Sequence, residues 1–257
     1  MAEHRTAGQQ QCPTEPAEWV LAPLELRTLI SLLRGGWTTP LVRRQLWRAW
    51  GLCRRHFWWY AAVDCELYRS PFKTAILCSE LVERSTAQLR LSLVRPTRRV
   101  LGLRSAAPCV ACEETHAQSP QLPPPRPVSR ERKRLEGIVG SIAGAPMFGQ
   151  ETGWLEDACP DCVGGTGLVC RVHLLHRSRA PKDPGEVREL AGNLDDLHDR
   201  LRVLLTSMSG NGRAAATTVA RSWIQALGWL AEWPPPWLHQ DEHGSWTLAS
   251  GVGSWPR

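Results

Sequence analysis

The chain has 257 residues, enough for one large or two small domains with a core of their own. With 42% apolar and 22% charged residues it belongs to the soluble globular class, which excludes a collagenous, low-complexity or membrane-embedded chain. The net charge of +6 is uneven: residues 21–104 hold 15 basic against 5 acidic side chains, a net +10, and residues 151–257 hold 10 against 13, a net −3.

A basic half suggests an acidic partner, a nucleic acid or the protein's own acidic half. No groove-reading motif accompanies the charge. Only Lys73, Lys133 and Lys182 among the 31 basic residues are lysines, which points first to a GC-rich coding sequence. The best apolar run, 137–149, is too short for a bilayer and contains Pro146. The first residues lack the apolar core of a signal peptide. No membrane association is expected, and the expected location is the cytoplasm. Nine cysteines, four of them in Cys-x-x-Cys pairs, then favour reduced thiols and metal over disulfides.

In chain order, 1–18 is polar and reads as a loose N-terminus. Residues 24–33 have apolar side chains at helical spacing, and Gly35-Gly36 stops them. Thr39-Pro40 reads as N-cap and first helical position. The helix it opens runs to Trp50, placing Leu41, Leu46, Trp47 and Trp50 together with Arg43, Arg44 and Arg48 outward. Gly51 ends it. A third helix runs from Cys53 to about Leu67, and Ser70-Pro71 opens a fourth carrying Ile76, Leu77, Leu81 and Leu89. Cys65 and Cys78, among apolar neighbours, read as buried bystanders. Residues 91–103 read as a short strand or an irregular connection.

The stretch 118–134 is Pro-rich, then basic, and reads as a linker. A weak helix is expected over 135–145. Asp183-Pro184-Gly185-Glu186 is a helix start, with Asp as N-cap, Pro at N1 and Glu at N3. The helix it opens carries Val187, Leu190, Leu194, Leu197, Leu201, Leu204 and Leu205 in steps of three and four. A returning helix is expected over 214–229, stopped by three prolines at 234–236. The Trp-containing tail shows no usable period. The leucine stripe predicts an intramolecular helical hairpin, with a homodimer surface as the alternative. The division expected is a basic helical domain over 19–117, a linker, a knuckle and hairpin region over 135–233, and a tail over 234–257.

The chemistry sits in short pairs. Cys53/His56 and Cys170/His173 are Cys-x-x-His pairs after a Gly-Leu, and Cys109/Cys112 and Cys159/Cys162 are Cys-x-x-Cys turns. Residues three apart in a first helical turn share a face, so each pair supplies half of a tetrahedral zinc site. Cys159, Cys162, Cys170 and His173 are joined by a Gly-rich turn and make a local Cys₃His set. Cys53 and His56 need two partners. Ligand count favours Cys109 and Cys112. The alternatives are Cys12 with Glu15, or a pairing of Cys109/Cys112 with Cys170/His173 that leaves Cys159/Cys162 over. Zinc is the expected metal, ahead of an iron–sulfur cluster, in which His is an uncommon ligand.

Cys12-Pro13, Gly51-Leu52-Cys53-Arg54-Arg55-His56-Phe57, Cys109/Cys112 and Cys170/His173 together resemble an uncharacterised family of bacterial cysteine-rich helical proteins. The resemblance covers roughly 12–173, and Glu15 stands where the family has the second Cys of a Cys-Pro-x-Cys turn. It implies metal binding and a helical fold, and it carries no activity.

The fold expected is mainly α, a helical protein with zinc-knuckle or treble-clef-like metal-stapled loops and a C-terminal helical hairpin. The function expected is that of a zinc-binding, non-enzymatic protein acting on a macromolecular partner. Two alternatives stand beside it. One is a nucleic-acid-binding regulator using arginines and tryptophans over 43–59, with arginines on phosphates and rings on bases. The other is a metal-dependent enzyme with an open zinc site at Cys53 and His56. No phosphate-binding Gly loop, nucleophile elbow or His-Glu-x-x-His accompanies the enzyme reading.

Overall fold

The computed structural model describes residues 21–68, 70–94, 101–117, 155–175, 181, 183–210, 217–233, 235, 238–240 and 246–248. Cys12, Glu15, the 118–134 linker and the helix expected over 135–145 lie outside them.

The described residues are mainly helical. Helix α1 (Pro23–Leu33) begins with Pro at its first position, and the Glu25 carboxylate accepts from the Ala22 N–H at 2.6 Å. A 3₁₀ turn (Gly36–Thr38) leads to α2 (Pro40–Ala49). Trp50 closes α2 in the left-handed region (φ 58°), and Gly51 follows at φ 98°. A Cβ at Gly51 would stand 2.6 Å from the Phe57 ring, so the turn that delivers Cys53 needs glycine for both conformation and space.

Helix α3 (Arg54–Tyr68) and α4 (Phe72–Val94) form the centre. The run 91–103 holds no strand among its described residues: α4 continues to Val94, and Leu101–Leu103 is a 3₁₀ turn. Short α5 (Val110–Ala117), α6 (Pro160–Val163) and α7 (Arg171–Leu174) carry metal-ligand candidates. Helix α8 (Pro184–Ser209) is capped by Asp183, whose carboxylate accepts from the N–H groups of Gly185 and Glu186 at 2.6 and 3.0 Å. The returning segment is α9 (Thr217–Ala220) and α10 (Ser222–Ala231), broken at Arg221. In the tail, where no period was readable, Leu238–Gln240 (β1) pairs antiparallel with Trp246–Leu248 (β2).

The α8 stripe is buried as its spacing requires. It packs on α10, as a hairpin would, but its most extensive contact is with α4. Ser70 beside Met208 and the Arg90–Asp195 ion pair fix the two long helices antiparallel. Elements before and after the 118–134 segment thus share one core, which runs from Leu21 to Trp233. Leu41 departs from its expected place beside Leu46 and is 71% exposed.

One buried carboxyl is anomalous. Asp64 Oδ2 accepts from the Thr74 N–H (2.8 Å) and hydroxyl (3.0 Å), but Oδ1 has no partner. Burial pushes its pKa up from 3.8 to about 6, against the opposing pull of Thr74 and Lys73. The folded state therefore binds this proton more tightly than the unfolded chain, and stability is lost as pH rises through that window. In Asp64→Asn the amide oxygen keeps both Thr74 bonds and no charge forms. The variant is expected to match the wild type near pH 4 and exceed it by about 2 kcal/mol at pH 7. Urea unfolding at the two pH values measures this, and an equal difference at both would contradict it.

Candidate metal centres

All four Cys-containing pairs are built alike. Cys53 and Cys109 immediately precede α3 and α5, and Cys159 and Cys170 are the N-caps of α6 and α7. The second ligand of each pair follows three residues later, within the first helical turn. Each pair thus sits at the positive end of a helix, where a thiolate is favoured and unpaired N–H groups are at hand. In the second centre, N–H groups of Asp161 and Cys162 reach Cys159, and that of Trp233 reaches Cys162.

The structure brings two pairs together twice: Cys53, His56, Cys109 and Cys112, and Cys159, Cys162, Cys170 and His173. In each group the four ligand atoms lie within 4.8 Å of one another. Around His56 Nδ1, the sulfurs of Cys53, Cys112 and Cys109 stand at 3.3, 3.3 and 3.6 Å, and Cys53 Sγ is 3.7 Å from Cys112 Sγ. Around His173 Nδ1, Cys162, Cys170 and Cys159 stand at 3.3, 3.3 and 3.7 Å, and Cys162 Sγ is 3.7 Å from Cys170 Sγ.

These distances suit a common tetrahedron. Zinc bond lengths of ~2.3 Å to sulfur and ~2.0 Å to nitrogen imply S···S edges of about 3.8 Å and S···N edges of about 3.5 Å. A disulfide would need sulfurs ~2.05 Å apart. Hydrogen bonding alone does not explain the geometry, because Nδ1 offers either one lone pair or one proton and here three sulfurs surround it. The donor set of three thiolates and one imidazole fits zinc. The residues present accommodate the metal without a fifth ligand.

The first centre also has an outer support that sequence reasoning missed. With Nδ1 turned to the sulfurs, His56 Nε2 donates to Glu25 Oε1 at 3.0 Å. Arg55 donates to the other oxygen, Oε2, at 2.7 Å, alongside the Ala22 N–H. Burial raises the Glu25 pKa, but the bonds from His56 and Ala22 and the Arg55 charge outweigh it and hold the carboxylate ionised. A carboxylate behind a ligating imidazole fixes its tautomer and raises its basicity. Glu25 lies 31 residues from His56, so no local spacing announces it. Glu25→Ala is expected to weaken metal binding at the first centre by about 10–100-fold and leave the second unchanged. Competition with a chromophoric chelator resolves the two affinities, and an equal loss at both centres would contradict the assignment.

The second centre is anchored by Arg171, the residue after Cys170. It is buried, and its guanidinium donates to Leu103 O at 2.8 Å and to Leu230 O at 3.2 and 3.3 Å. Burial lowers its pKa to about 10 despite the Cys170 and Glu232 charges, so it stays cationic beside an anionic sulfur set. The knuckle closes because Gly167 runs against Asp157: a Cβ there would lie 1.8 Å from the Asp157 carbonyl oxygen.

Thiol acidity is divided unevenly in each protein-only ligand set. Burial opposes ionisation of Cys109, but hydrogen bonds from Cys112, Cys53 and His56 hold its pKa well below the thiol value. The bond from Cys162 leads in bringing Cys170 down to about 6. His56, opposed by burial, is raised to about 9 by Cys109 and Glu25. Metal binding must displace these protons and is favoured as pH rises.

Cys65 and Cys78 are buried outside both groups, as expected. The aromatic part of the nucleic-acid reading is corrected: Trp50, Trp58 and Trp59 are buried and cannot stack on bases. Arg43 lies over Trp37 and Trp47 and pairs with Glu80, and Arg84 lies between Trp47 and Trp50. No described helix is long and apolar enough to cross a membrane. Comparison with protein-family models, with curated proteins and with solved structures finds no match.

Proposed function

We propose that the protein is a zinc-stapled helical scaffold that acts by binding another macromolecule rather than by catalysis. The observation that carries this reading is that two complete Cys₃His sets each draw their ligands from paired helix N-termini. Four protein ligands complete tetrahedral zinc, which is the composition of structural sites; catalytic zinc keeps a position for water. The first set joins α3 to α5, and through Glu25 to α1. The second joins α6 to α7, and through Trp233 and Arg171 to the end of α10. The metal thus holds non-local elements in place, and the surface they present is the working part.

Cobalt substitution tests the closed coordination. The protein loaded with Co(II) is expected to show the intense visible bands of tetrahedral thiolate coordination, unchanged by azide or cyanide. A spectrum that shifts on adding either anion would reveal an open position and return the enzyme reading.

A second reading retains the basic half as a nucleic-acid surface, supported by the net +10 over 21–104 and by the exposed Arg44 and Arg48 on α2. With Trp50, Trp58 and Trp59 buried, it rests mainly on phosphate contacts. Binding to single-stranded or duplex DNA that weakens steeply with salt would support it.

A further inference from the structure

Rings and guanidiniums alternate along α2 in a ladder that neither metal centre uses. Arg43 lies over Trp37 and Trp47, 6.0 and 5.1 Å from the ring centroids. Arg84 reaches in from α4 and lies 5.4 Å from the centroids of both Trp47 and Trp50. The two arginines differ in what their N–H groups do. Arg43 pairs with Glu80. Arg84 is exposed, and among the described residues no acceptor takes any of its N–H groups. Ring contacts hold a guanidinium in one orientation and leave its hydrogen-bonding fork available. A cation so held, with its donors unspent, is prepared for an anion outside the chain.

Arg84 has neighbours of the same kind. Trp47 lies three residues from Arg44, and Arg44 four from Arg48, so the three arginines succeed one another across the outer side of α2. Arg44 is exposed and has no acceptor among the described residues; Arg48, also exposed, gives one N–H to the Ala106 carbonyl at 3.3 Å. Two acids that reach α2 are already engaged, Glu80 by Arg43 and Glu113 by Gln45. The face is therefore of one sign. The centre of a protein–protein interface is depleted of charge, whereas protein–DNA interfaces are strongly positive. The ten residues of α2 span ~15 Å, and duplex DNA offers a phosphate charge every ~1.7 Å of its axis, twice the density of one strand. We propose that this face binds duplex DNA through its phosphates, with Arg44, Arg48 and Arg84 as the contacts. Trp47 and Trp50 position Arg84 rather than stack on bases, so the contact carries no direct base readout. The inference deepens the reading of the basic half as a phosphate-binding surface, and rests on it, by giving that surface its residues and its form of nucleic acid.

The test is fluorescence anisotropy of a labelled duplex of about 20 base pairs titrated with the zinc-loaded full chain at several salt concentrations. Three phosphate contacts predict a slope of log K against log salt of about −2.7, or about 40-fold weaker binding at 200 mM than at 50 mM. Arg84→Gln is expected to reduce that slope by about 0.9, and Arg44→Gln with Arg48→Gln by about 1.8. Arg188→Gln with Arg202→Gln, on α8, is expected to leave it unchanged. All five arginines are outside both ligand sets, so zinc content and circular dichroism should match the parent in every variant. Salt-steep binding that the α2 and α4 variants leave unchanged would overturn this face while keeping a nucleic-acid surface elsewhere on the basic half. No binding of duplex at 50 mM salt would overturn both. A poly-glutamate chain that displaces the duplex at equal charge concentration would overturn the proposal in favour of an acidic protein partner.

Discussion

Chelation of the zinc-loaded protein is expected to unfold it. Structural zinc contributes on the order of 10–16 kcal/mol of apparent binding free energy in small metal-dependent folds. Net stability of a domain is only about 5–15 kcal/mol. Losing two such contributions exceeds what the apolar core keeps in reserve. Without metal, two sets of three thiols are left crowded around an imidazole, with no ion to balance them. Helices α6 and α7 are four residues each, too short to persist alone. The near-ultraviolet circular dichroism, dominated by buried tryptophans such as Trp58, Trp229 and Trp233, should collapse on chelation. The far-ultraviolet helical signal should fall with it, and both should return on adding zinc. A thermal midpoint unchanged by chelation would show that the core needs no staple.

Arg171→Met is expected to cost about 3–5 kcal/mol, the second large effect. The guanidinium is buried and makes three hydrogen bonds to two main-chain carbonyls, those of Leu103 and Leu230. A methionine of similar length fills the space but leaves both carbonyls without this donor in the interior. It also removes the positive charge beside the Cys170 sulfur. Arg171→Lys supplies one ammonium for three directed N–H groups and is expected to recover only part of the loss. Denaturant unfolding of the zinc-loaded proteins measures both. A methionine variant within about 1 kcal/mol of the wild type would contradict a central role for this residue.

The ligand pairs were legible in the sequence because they are local. A Cys and a second ligand three residues on, at the opening of a helix, converge whatever the rest of the chain does. The second centre was legible as a whole for the same reason, since a short glycine turn joins its halves. The first centre was not, because Cys53 and Cys109 are brought together by packing among α1, α3 and α5. Spacing left three options open, and only ligand count favoured Cys109/Cys112, the pair that the structure places there. Glu25 was invisible because its role depends on where α1 sits, not on its neighbours in sequence.

The leucine stripe of α8 shows the same division. Its period states which face is buried, but not against what. The adjacent returning segment was the natural expectation, yet α4 takes most of the face because two long antiparallel helices offer the larger contact. In the same way the arginine and tryptophan interleaving of 43–59 was read correctly as helical, while three of its four tryptophans, Trp50, Trp58 and Trp59, proved to be core and two of the arginines partners of Glu80 and Glu25. Composition does not separate a stacking platform from a buried face; only the fold does.

The most direct test of two independent four-ligand centres is metal content per chain, measured by elemental analysis on untagged wild type, Cys53→Ser and Cys170→Ser. The account predicts about two zinc ions in the wild type and about one in each variant, with the remaining ion in the opposite centre. A wild type holding one ion that Cys170→Ser abolishes would contradict the first centre. Iron with visible absorbance in place of zinc would contradict the metal, and no metal in reduced, zinc-supplemented protein would contradict the account as a whole.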